Sequence, residues 1–192
     1  MTVRQEQAAQ SRRHLVDTAL RLFVDQGYVA TPITQILDEA GVSRGALYHH
    51  FPDGKQELFV AVVDVVDHQL HEGFEGILNA VDSPVEQIAA GIDLLLGLAS
   101  DREFARIILI EAAAVMPGAW TDGSEFVLLR DRLGAAVDAG EIRPVPLDAT
   151  TSALYGAARR AADFVARSSE PAMAAADCRT ALQLMLEGLR LP

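Results

Sequence analysis

The fold of this chain is decided by the stretch Ala40-Gly41-Val42-Ser43-Arg44-Gly45-Ala46-Leu47-Tyr48-His49-His50-Phe51. Gly41 ends the helix before it, because glycine enters a left-handed conformation at little cost. Ser43 is a favoured N-cap for the helix that follows. A glycine turn and a short capped helix, in this order, predict the turn and second helix of a helix-turn-helix motif.

Two further helices flank this motif on its N-terminal side. Hydrophobic residues at helical spacing predict a first helix over about 5–26, and a second helix covers about 32–40. We expect Thr31 to cap the second helix, with Pro32 at its first position. The third helix, about 44–50, is then the part of a small three-helix unit that enters a DNA groove.

The rest of the chain is helical as well. It contains no alternating strand pattern of useful length, and its loops are short. The sequence predicts an all-α fold: an N-terminal helix-turn-helix DNA-binding domain over residues 1–54, and a C-terminal helical bundle over 55–192 for ligand binding and dimerisation. About nine helices are expected in total, the last six over about 54–80 (opened by an Asp53/Gln56 capping box), 84–99, 101–116, 123–139, 148–168 and 171–190.

Charge is distributed unevenly along the chain. The 192 residues carry a net charge of −11, which at first argues against nucleic-acid binding. Residues 1–58 hold six basic against seven acidic side chains, however, whereas residues 59–192 hold ten against twenty. The acidity therefore lies in the C-terminal part, and the three-helix unit is nearly neutral.

Several classes of protein find no support in the sequence. No apolar run approaches the length of a membrane span, and the N-terminus lacks a secretory signal pattern. The single cysteine, Cys178, excludes an intrachain disulfide, and no Cys/His spacing predicts a zinc module. No nucleophile elbow, phosphate loop or paired-carboxylate motif is present. We expect a cytoplasmic protein that is not an enzyme, with no membrane segment, no cofactor and no metal.

The third helix carries side chains suited to reading duplex DNA. An arginine at its start can donate two hydrogen bonds to guanine, and small residues beside it permit close approach to the groove. The aromatic residues at its end can contact phosphates or thymine methyl groups, and a lysine in the first turn of the next helix can meet a phosphate. The expected DNA-binding residues are Thr31, Thr34, Ser43, Arg44, Gly45, Tyr48, His49, His50 and Lys55. Leu47 and Phe51 are expected to face inward.

At this point the sequence resembles a known family. Over about residues 10–60 it is similar to the DNA-binding domain of the tetracycline-repressor (TetR) family. The resemblance implies a homodimeric, ligand-responsive repressor that binds a palindromic DNA operator and is released by a small-molecule inducer. The residues that carry it are Phe23-Val24-Asp25-Gln26-Gly27-Tyr28, Thr31, Ile36, the stretch 40–51, Lys55 and Leu58.

An inducer site is expected in the C-terminal bundle. Glu111 is the most suggestive residue because it interrupts the apolar run 107–116, although a buried carboxylate paired with Arg106 or Arg159 explains it equally well. The aromatic residues could line a pocket or belong to the core. The expected ligand-binding residues are Phe104, Glu111, Met116, Trp120, Phe126, Tyr155, Arg159 and Phe164. The acidic body favours cationic or neutral inducers.

The dimer is expected to form through the eighth and ninth helices. Small residues in the eighth helix allow close packing, and leucines in the ninth supply apolar area. An inducer that changed the pose of the fourth helix would then misalign the two reading helices. The residues concerned are Ala153, Gly156, Ala157, Ala161 and Ala162, followed by Leu182, Leu184, Met185, Leu186 and Leu189.

Two other functions stay open. A metal-sensing regulator would use His68 and His71, which share one face of the fourth helix with Asp64 and Glu72. Charged residues on a long helix are more often a solvated stripe. The other alternative is a helical interaction module, or an unrecognised enzyme, that does not bind DNA. The sequence names neither the operator nor the inducer.

Overall fold

The computed structural model describes residues 3–116 and 123–191, and nearly all of these residues lie in helices. The all-α prediction is confirmed, with nine helices in the described ranges and no strand beyond a single bridge between Ile142 and Arg190. The helices are α1 Val3–Gln26, α2 Ile33–Ala40, α3 Arg44–His50, α4 Lys55–Ala80, α5 Pro84–Ala99, α6, α7 Ser124–Asp138, α8 Leu147–Ala166 and α9 Pro171–Glu187. The helix α6 is continuous but of three parts, Arg102–Phe104, a π-helical Ala105–Ala112, and Ala113–Val115.

The turn before α3 forms as the sequence predicts. Gly41 adopts φ 63° and ψ 29°, the left-handed conformation that only glycine enters cheaply. Ser43 caps α3, and its hydroxyl accepts a hydrogen bond from the Ala46 amide at 3.2 Å. Leu47 and Phe51 are fully buried, so both face inward as expected.

Two helix starts differ from the prediction. Pro32, not Thr31, is the N-cap of α2, because the Thr31 hydroxyl points back and donates to the Gly27 carbonyl at 2.8 Å. The Asp53/Gln56 capping box is wrong as well. The residue before α4 is Gly54, and the Asp53 backbone amide instead donates to the Glu57 carboxylate at 3.0 Å.

Buried apolar residues form two clusters. The first core joins α1, α2 and α3 to the first half of α4 and to α6, and the second core joins α5 to α7, α8 and α9. The three N-terminal helices therefore do not bury their apolar surface alone. The predicted boundary at residues 54 and 55 stays a prediction. Fully buried members of the first core include Leu15, Phe23, Ile36, Leu47, Phe51, Leu58, Phe59, Phe104 and Ile107; those of the second include Val85, Leu96, Leu133, Ala162 and Val165.

An ion pair closes the contact between α6 and the end of α1. The Arg106 guanidinium lies 2.9 Å from the Glu111 carboxylate, whose side chain is only 10% exposed. Both groups lie against Gly27, which has φ 87°, and a Cβ at that position would overlap the guanidinium and the carboxylate. Glu111 therefore serves this junction, as the ion-pair alternative predicted, and it is not among the residues that line the cavity between α4, α5 and the helices after them.

Membrane insertion of a helix finds no support in the structure. Within residues 3–116 and 123–191, no helix is both long enough and apolar enough to cross a bilayer.

Candidate nucleic-acid interface and ligand cavity

The outer face of α3 is exposed and chemically suited to a DNA groove. Arg44, Gly45, Tyr48 and His49 are all exposed along this short helix. In the part of the chain that the structure describes, the Arg44 guanidinium makes no ion pair and no side-chain hydrogen bond. Its planar set of donors is therefore available for a base edge or a phosphate.

The ring of Tyr48 is positioned by the loop that follows α3. Gly54, at φ 65°, lies so close to the ring that a Cβ there would stand 3.2 Å from Tyr48 Cε1. The Tyr48 side chain remains 46% exposed. Its hydroxyl lies on the Gly54 side of the reading head, the unit formed by α1, α2 and α3. A glycine at this position therefore keeps the ring close to the loop without a steric clash.

The two threonines of the expected DNA contacts have different environments. Thr31 is fully buried, and its hydroxyl donates to the Gly27 carbonyl, with the Leu22 carbonyl 3.4 Å away. Its side chain cannot reach DNA, and the prediction that Thr31 binds DNA is corrected for this reason. Thr34 is exposed in the first turn of α2 and stays a predicted contact.

Lys55 is folded over the loop after α1. Its ammonium donates to the Tyr28 carbonyl at 2.5 Å and lies 4.1 Å from the centre of the Tyr28 ring. Burial lowers the pKa of Lys55, and the nearby Glu111 carboxylate partly opposes this shift. An ammonium has three N–H donors, so one is committed to the protein and the others can still meet a phosphate.

His49 and His50 are adjacent but differ in exposure. His49 is exposed, whereas His50 is half-buried beside α1. Burial lowers the pKa of His50, followed by repulsion from His49 and Arg12, so its imidazole is neutral at pH 7. Arg12 stacks 5.1 Å from the centre of the Phe51 ring. His49 is therefore the better placed of the two histidines to contact DNA.

The sequence reasoning did not assign the basic residues of α1 to the interface. Arg12 and Arg13 are exposed, and Arg13 and His14 line a shallow groove that also includes Val42 of the helix-turn-helix turn. The signal available in the sequence was the pair of adjacent arginines in the first helix of the DNA-binding unit. We expect them to contact phosphates.

A cavity lies between α4, α5, α6, α7 and α8. Its volume is about 130 Å³, comparable to an apolar cavity that holds one benzene ring. The lining is mainly aliphatic and aromatic, with a polar group at Gln87, Glu125, Arg132, Tyr155 and Arg159. Its apolar lining includes Leu70, Phe74, Ile77, Ile88, Ile92, Leu95, Phe104, Ile108, Leu128, Leu129 and Leu154.

The polar end of the cavity contains a buried donor with no acceptor. Gln87 is 9% exposed, and its amide donates to the Val81 carbonyl at 2.6 Å. Arg132 Nη1 donates to Gln87 Oε1 at 3.3 Å, while Arg132 Nε is buried without a hydrogen-bond partner. Arg132 lines the cavity, so N–H groups of its guanidinium can donate to a ligand oxygen there. Neither residue is predictable from the sequence, because a lone Arg and Gln on separate helices carry no local signal.

Three of the expected ligand-binding residues line this cavity: Phe104, Tyr155 and Arg159. The Arg159 guanidinium lies 3.4 Å from the Tyr155 hydroxyl. Phe126 packs edge-on against Tyr155, with ring centres 5.5 Å apart, but it is not part of the lining.

The remaining expected ligand residues lie elsewhere. Met116 packs against the first core, and Glu111 is committed to Arg106. Phe164 is 55% exposed on the outer face of α8, away from the cavity. Trp120 lies outside the described residues. Apolar type and spacing alone did not distinguish cavity, core and surface positions, because all three use the same residues.

The histidines of the metal alternative do not converge. His68 pairs with Glu72 at 3.1 Å, and both are largely exposed. His71 instead turns toward Asp67 of the same helix and Glu125 of α7. A metal site built from His68 and His71 together is therefore not supported.

Comparisons with known proteins agree with the fold and the reading head. Residues 15–62 match the model for bacterial regulatory proteins of the tetR family, and residues 85–189 match the tetracyclin repressor-like C-terminal domain. The regulator SrpR of Pseudomonas putida is 31% identical over 151 residues, which cover 76% of this chain and 70% of SrpR.

A solved structure and a shorter match complete the comparison. A TetR-family transcriptional regulator from Pectobacterium atrosepticum superposes with a TM-score of 0.81 and 27% identity, over 100% of this chain and 99% of the other. LmrA of Bacillus subtilis is 36% identical over 80 residues, which cover 42% of this chain. The match spans only 43% of LmrA, less than half the length of that relative.

An all-helical chain with an exposed, serine-capped reading helix and a separate body cavity defines a helix-turn-helix regulator. This chain belongs to the TetR family of transcriptional regulators. The relatives it matches are regulators and not enzymes.

The burial of Thr31 generates a prediction about stability. Replacing Thr31 by valine removes the hydroxyl that donates to the Gly27 carbonyl but keeps the shape of the side chain. We expect a loss of about 1 kcal/mol in the free energy of unfolding, measured by urea denaturation. Thr34→Val, at an exposed position three residues further on in α2, should change the free energy of unfolding by less than about 0.5 kcal/mol. Equal effects of the two substitutions would contradict the structural role of Thr31.

Proposed function

We propose that this protein is a ligand-responsive transcriptional repressor that binds a palindromic operator as a homodimer in the cytoplasm. The observation that carries the proposal is the position of α6. This helix contributes Ile107 to the core of the reading head and Phe104 and Ile108 to the lining of the cavity. A ligand in the cavity and DNA on α3 therefore act on one connected set of packed residues.

The DNA contacts proposed for this chain follow exposure and charge. Arg44, Gly45, Tyr48 and His49 enter the major groove, and Thr34 contacts the backbone from α2. Lys55 and the α1 arginines Arg12 and Arg13 lie near this face and add charge for phosphates, whereas the neutral imidazole of His50 can offer only a hydrogen bond. Ser43 acts by capping α3, because its hydroxyl is already committed to the Ala46 amide.

An exposed face of α8 supports the homodimer. Ala153, Gly156, Arg160 and Phe164 follow the i, i+3, i+7, i+11 spacing of one helical face and are all exposed. Gly156 has open space around it, so a second helix can approach closely there. An exposed helical face with an open glycine at its centre suits a two-fold interface.

The ninth helix adds apolar area to the proposed interface. Leu184 is 70% exposed and Met185 is 52% exposed, both unusually high for large apolar side chains. Leu182 and Leu186, expected at the interface, are instead buried in the second core of the same chain. The proposed dimer face of α9 therefore contains Leu184 and Met185, and excludes those two leucines.

The π-helical part of α6 connects the cavity to the reading head. A π-helical stretch is rare and is frequent at functional sites. Phe104 and Ile108 line the cavity and share the first core with Ile107, and the Arg106–Glu111 pair lies against Gly27 at the end of α1. A ligand that favours one arrangement of α6 would change how α1 and α4 support α3, and a preference of several kcal/mol would release the operator.

The cavity favours a small and largely apolar ligand with one hydrogen-bond acceptor. The Arg132 guanidinium supplies N–H donors, and the aliphatic lining accommodates a single ring. The acidic composition of the body had favoured cationic or neutral inducers. Arg132 lines the cavity, and in the described residues its guanidinium meets a neutral amide and no carboxylate, so we propose a neutral or anionic ligand instead.

Selection of bound sites from random duplexes tests the DNA-binding proposal. The wild-type chain should select an inverted repeat, with half-sites about one helical turn apart or a multiple of it. Arg44→Ala should weaken binding by about 1–3 kcal/mol and relax the preference at one base pair. Arg130→Ala, in an exposed ion pair of the body, should leave affinity unchanged. A wild-type chain that selects no duplex would refute the proposal.

A charge placed on the exposed face of α9 tests the dimer, with oligomeric state and operator affinity measured together. Leu184→Glu places a charge on the proposed interface without disturbing the core, and should yield monomers with weak operator binding. Val127→Glu is the matched control, because Val127 is also an apolar residue that is 54% exposed, but on α7. A monomeric Leu184→Glu variant that binds the operator as tightly as wild type would contradict the proposal.

Three one-ring probes test the ligand proposal: benzoate, phenol and benzene. We expect benzoate and phenol to bind more tightly than benzene, measured by calorimetry and by the rise in melting temperature. Arg132→Met should reduce the affinity of benzoate and phenol relative to benzene about tenfold, because the interaction with a charged donor is lost. Ala158→Leu fills the cavity and should block all three probes. Failure of every probe to bind wild type, or unchanged binding to the Ala158→Leu variant, would overturn the assignment.

A further inference from the structure

Three side chains from two helices converge beside the cavity. Asp67 and His71 lie one turn apart on α4, and Glu125 lies in the first turn of α7. Each offers one ligand atom, and these atoms all lie within 4.8 Å of one another. His71 Nδ1 is 3.2 Å from Asp67 Oδ2, and His71 Nε2 is 3.9 Å from Glu125 Oε1.

The local sequence explains why these groups meet. Residues at i and i+4 face the same side of a helix, which places Asp67 beside His71. On α7 the carboxylate of Glu125 folds back over its own N-cap, Gly123, and a Cβ at that residue would overlap Glu125 Oε2. Ser124 adds a hydroxyl 3.3 Å from His71 Nε2.

The cluster lacks a cationic partner. In the described ranges, no lysine or arginine forms an ion pair with Asp67 or Glu125, whose side chains are only 18% and 16% exposed. Asp67 Oδ1 is buried and accepts no hydrogen bond. Two largely buried carboxylates with no cationic side chain against them favour a cation between them.

We propose that Asp67, His71 and Glu125 bind one divalent first-row transition metal ion, such as Zn²⁺, Ni²⁺ or Co²⁺, with water completing the coordination. One imidazole with two carboxylates suits these ions, whereas all-oxygen sites suit Mg²⁺ and Ca²⁺ and thiolates suit Cu⁺. Metal–ligand distances of about 2.0–2.2 Å would draw the three atoms slightly closer than they now lie.

The metal would join α4 to α7 at the edge of the cavity. Glu125 belongs both to the cluster and to the cavity lining. The opposite end of α4 carries Lys55, which contacts the head through Tyr28. An effect of the metal on operator affinity therefore depends on the proposed function, whereas metal binding itself depends only on the three ligands.

Calorimetric titration of the untagged, chelator-treated full chain tests the site directly. Zn²⁺, Ni²⁺ and Co²⁺ should each bind once per chain and raise the melting temperature, whereas Mg²⁺ should do neither. His71→Ala and Glu125→Gln should each weaken binding at least tenfold. His68→Ala is the matched control: His68 is an exposed histidine of the same helix, paired with Glu72, and its loss should leave metal affinity unchanged.

Three results would overturn the proposal. These are a wild-type chain that binds none of the three ions below 100 μM, a His68→Ala variant as impaired as His71→Ala, or a Glu125→Gln variant that binds like wild type. Circular dichroism of each metal-free variant confirms that it is folded. Operator binding is measured separately with and without Zn²⁺, so a metal site without any effect on DNA would refute only the link to the proposed repressor.

Discussion

The burial of Ile107 in the core of the reading head is the constraint on which the rest of the structure depends. The three N-terminal helices do not enclose Phe23, Leu47 and Phe51 alone, because a unit of this size buries too small a fraction of its surface. The first half of α4 and the π-helical part of α6 complete that core. The Arg106–Glu111 pair, closed against Gly27, then fixes α6 on the end of α1.

Sharing one core has a consequence for regulation. Residues of α6 take part in both sites: Ile107 and Ile108 belong to the first core, and Ile108 also lines the cavity. Packed interiors respond to a volume change by discrete rearrangement and not by smooth deformation. On our proposal, a ligand beside Ile108 therefore biases how α6 packs against α1 and α4, the helices that share the first core with α3. No separate signalling element is needed between the two sites.

Local features of the sequence predicted most of the fold. Gly41, Ser43 and the helical spacing of apolar residues act within a few positions, so the turn, the cap of α3 and the all-α class follow from them. Thr31 shows where this reasoning ends. Thr31 can either cap α2 or donate to the Gly27 carbonyl, and both arrangements are local. Because the side chain is buried in the folded protein, the hydrogen bond to Gly27 forms and the cap does not.

The cavity and the Asp67–His71–Glu125 cluster were harder to predict from the sequence, because the residues that meet there are distant along the chain. Arg132 meets Gln87 of another helix, and His71 meets Glu125 some fifty positions away. His68 and His71 looked equivalent on a helical projection, yet only His71 faces α7. Glu111 was correctly paired with an arginine as one alternative, since a carboxylate inside an apolar run needs a buried partner.

Native-state hydrogen exchange of the full chain with Ile107→Ala tests the shared core most directly. The Leu47 and Phe51 amides donate to the Ser43 and Leu47 carbonyls within the reading helix, and they report its opening. Truncating a buried isoleucine costs about 2–5 kcal/mol, and we expect these two amides to lose protection by the same amount as the core amides of α4. Unchanged protection of α3, with loss confined to α4 and α6, would show that the head is stable by itself and would contradict the account.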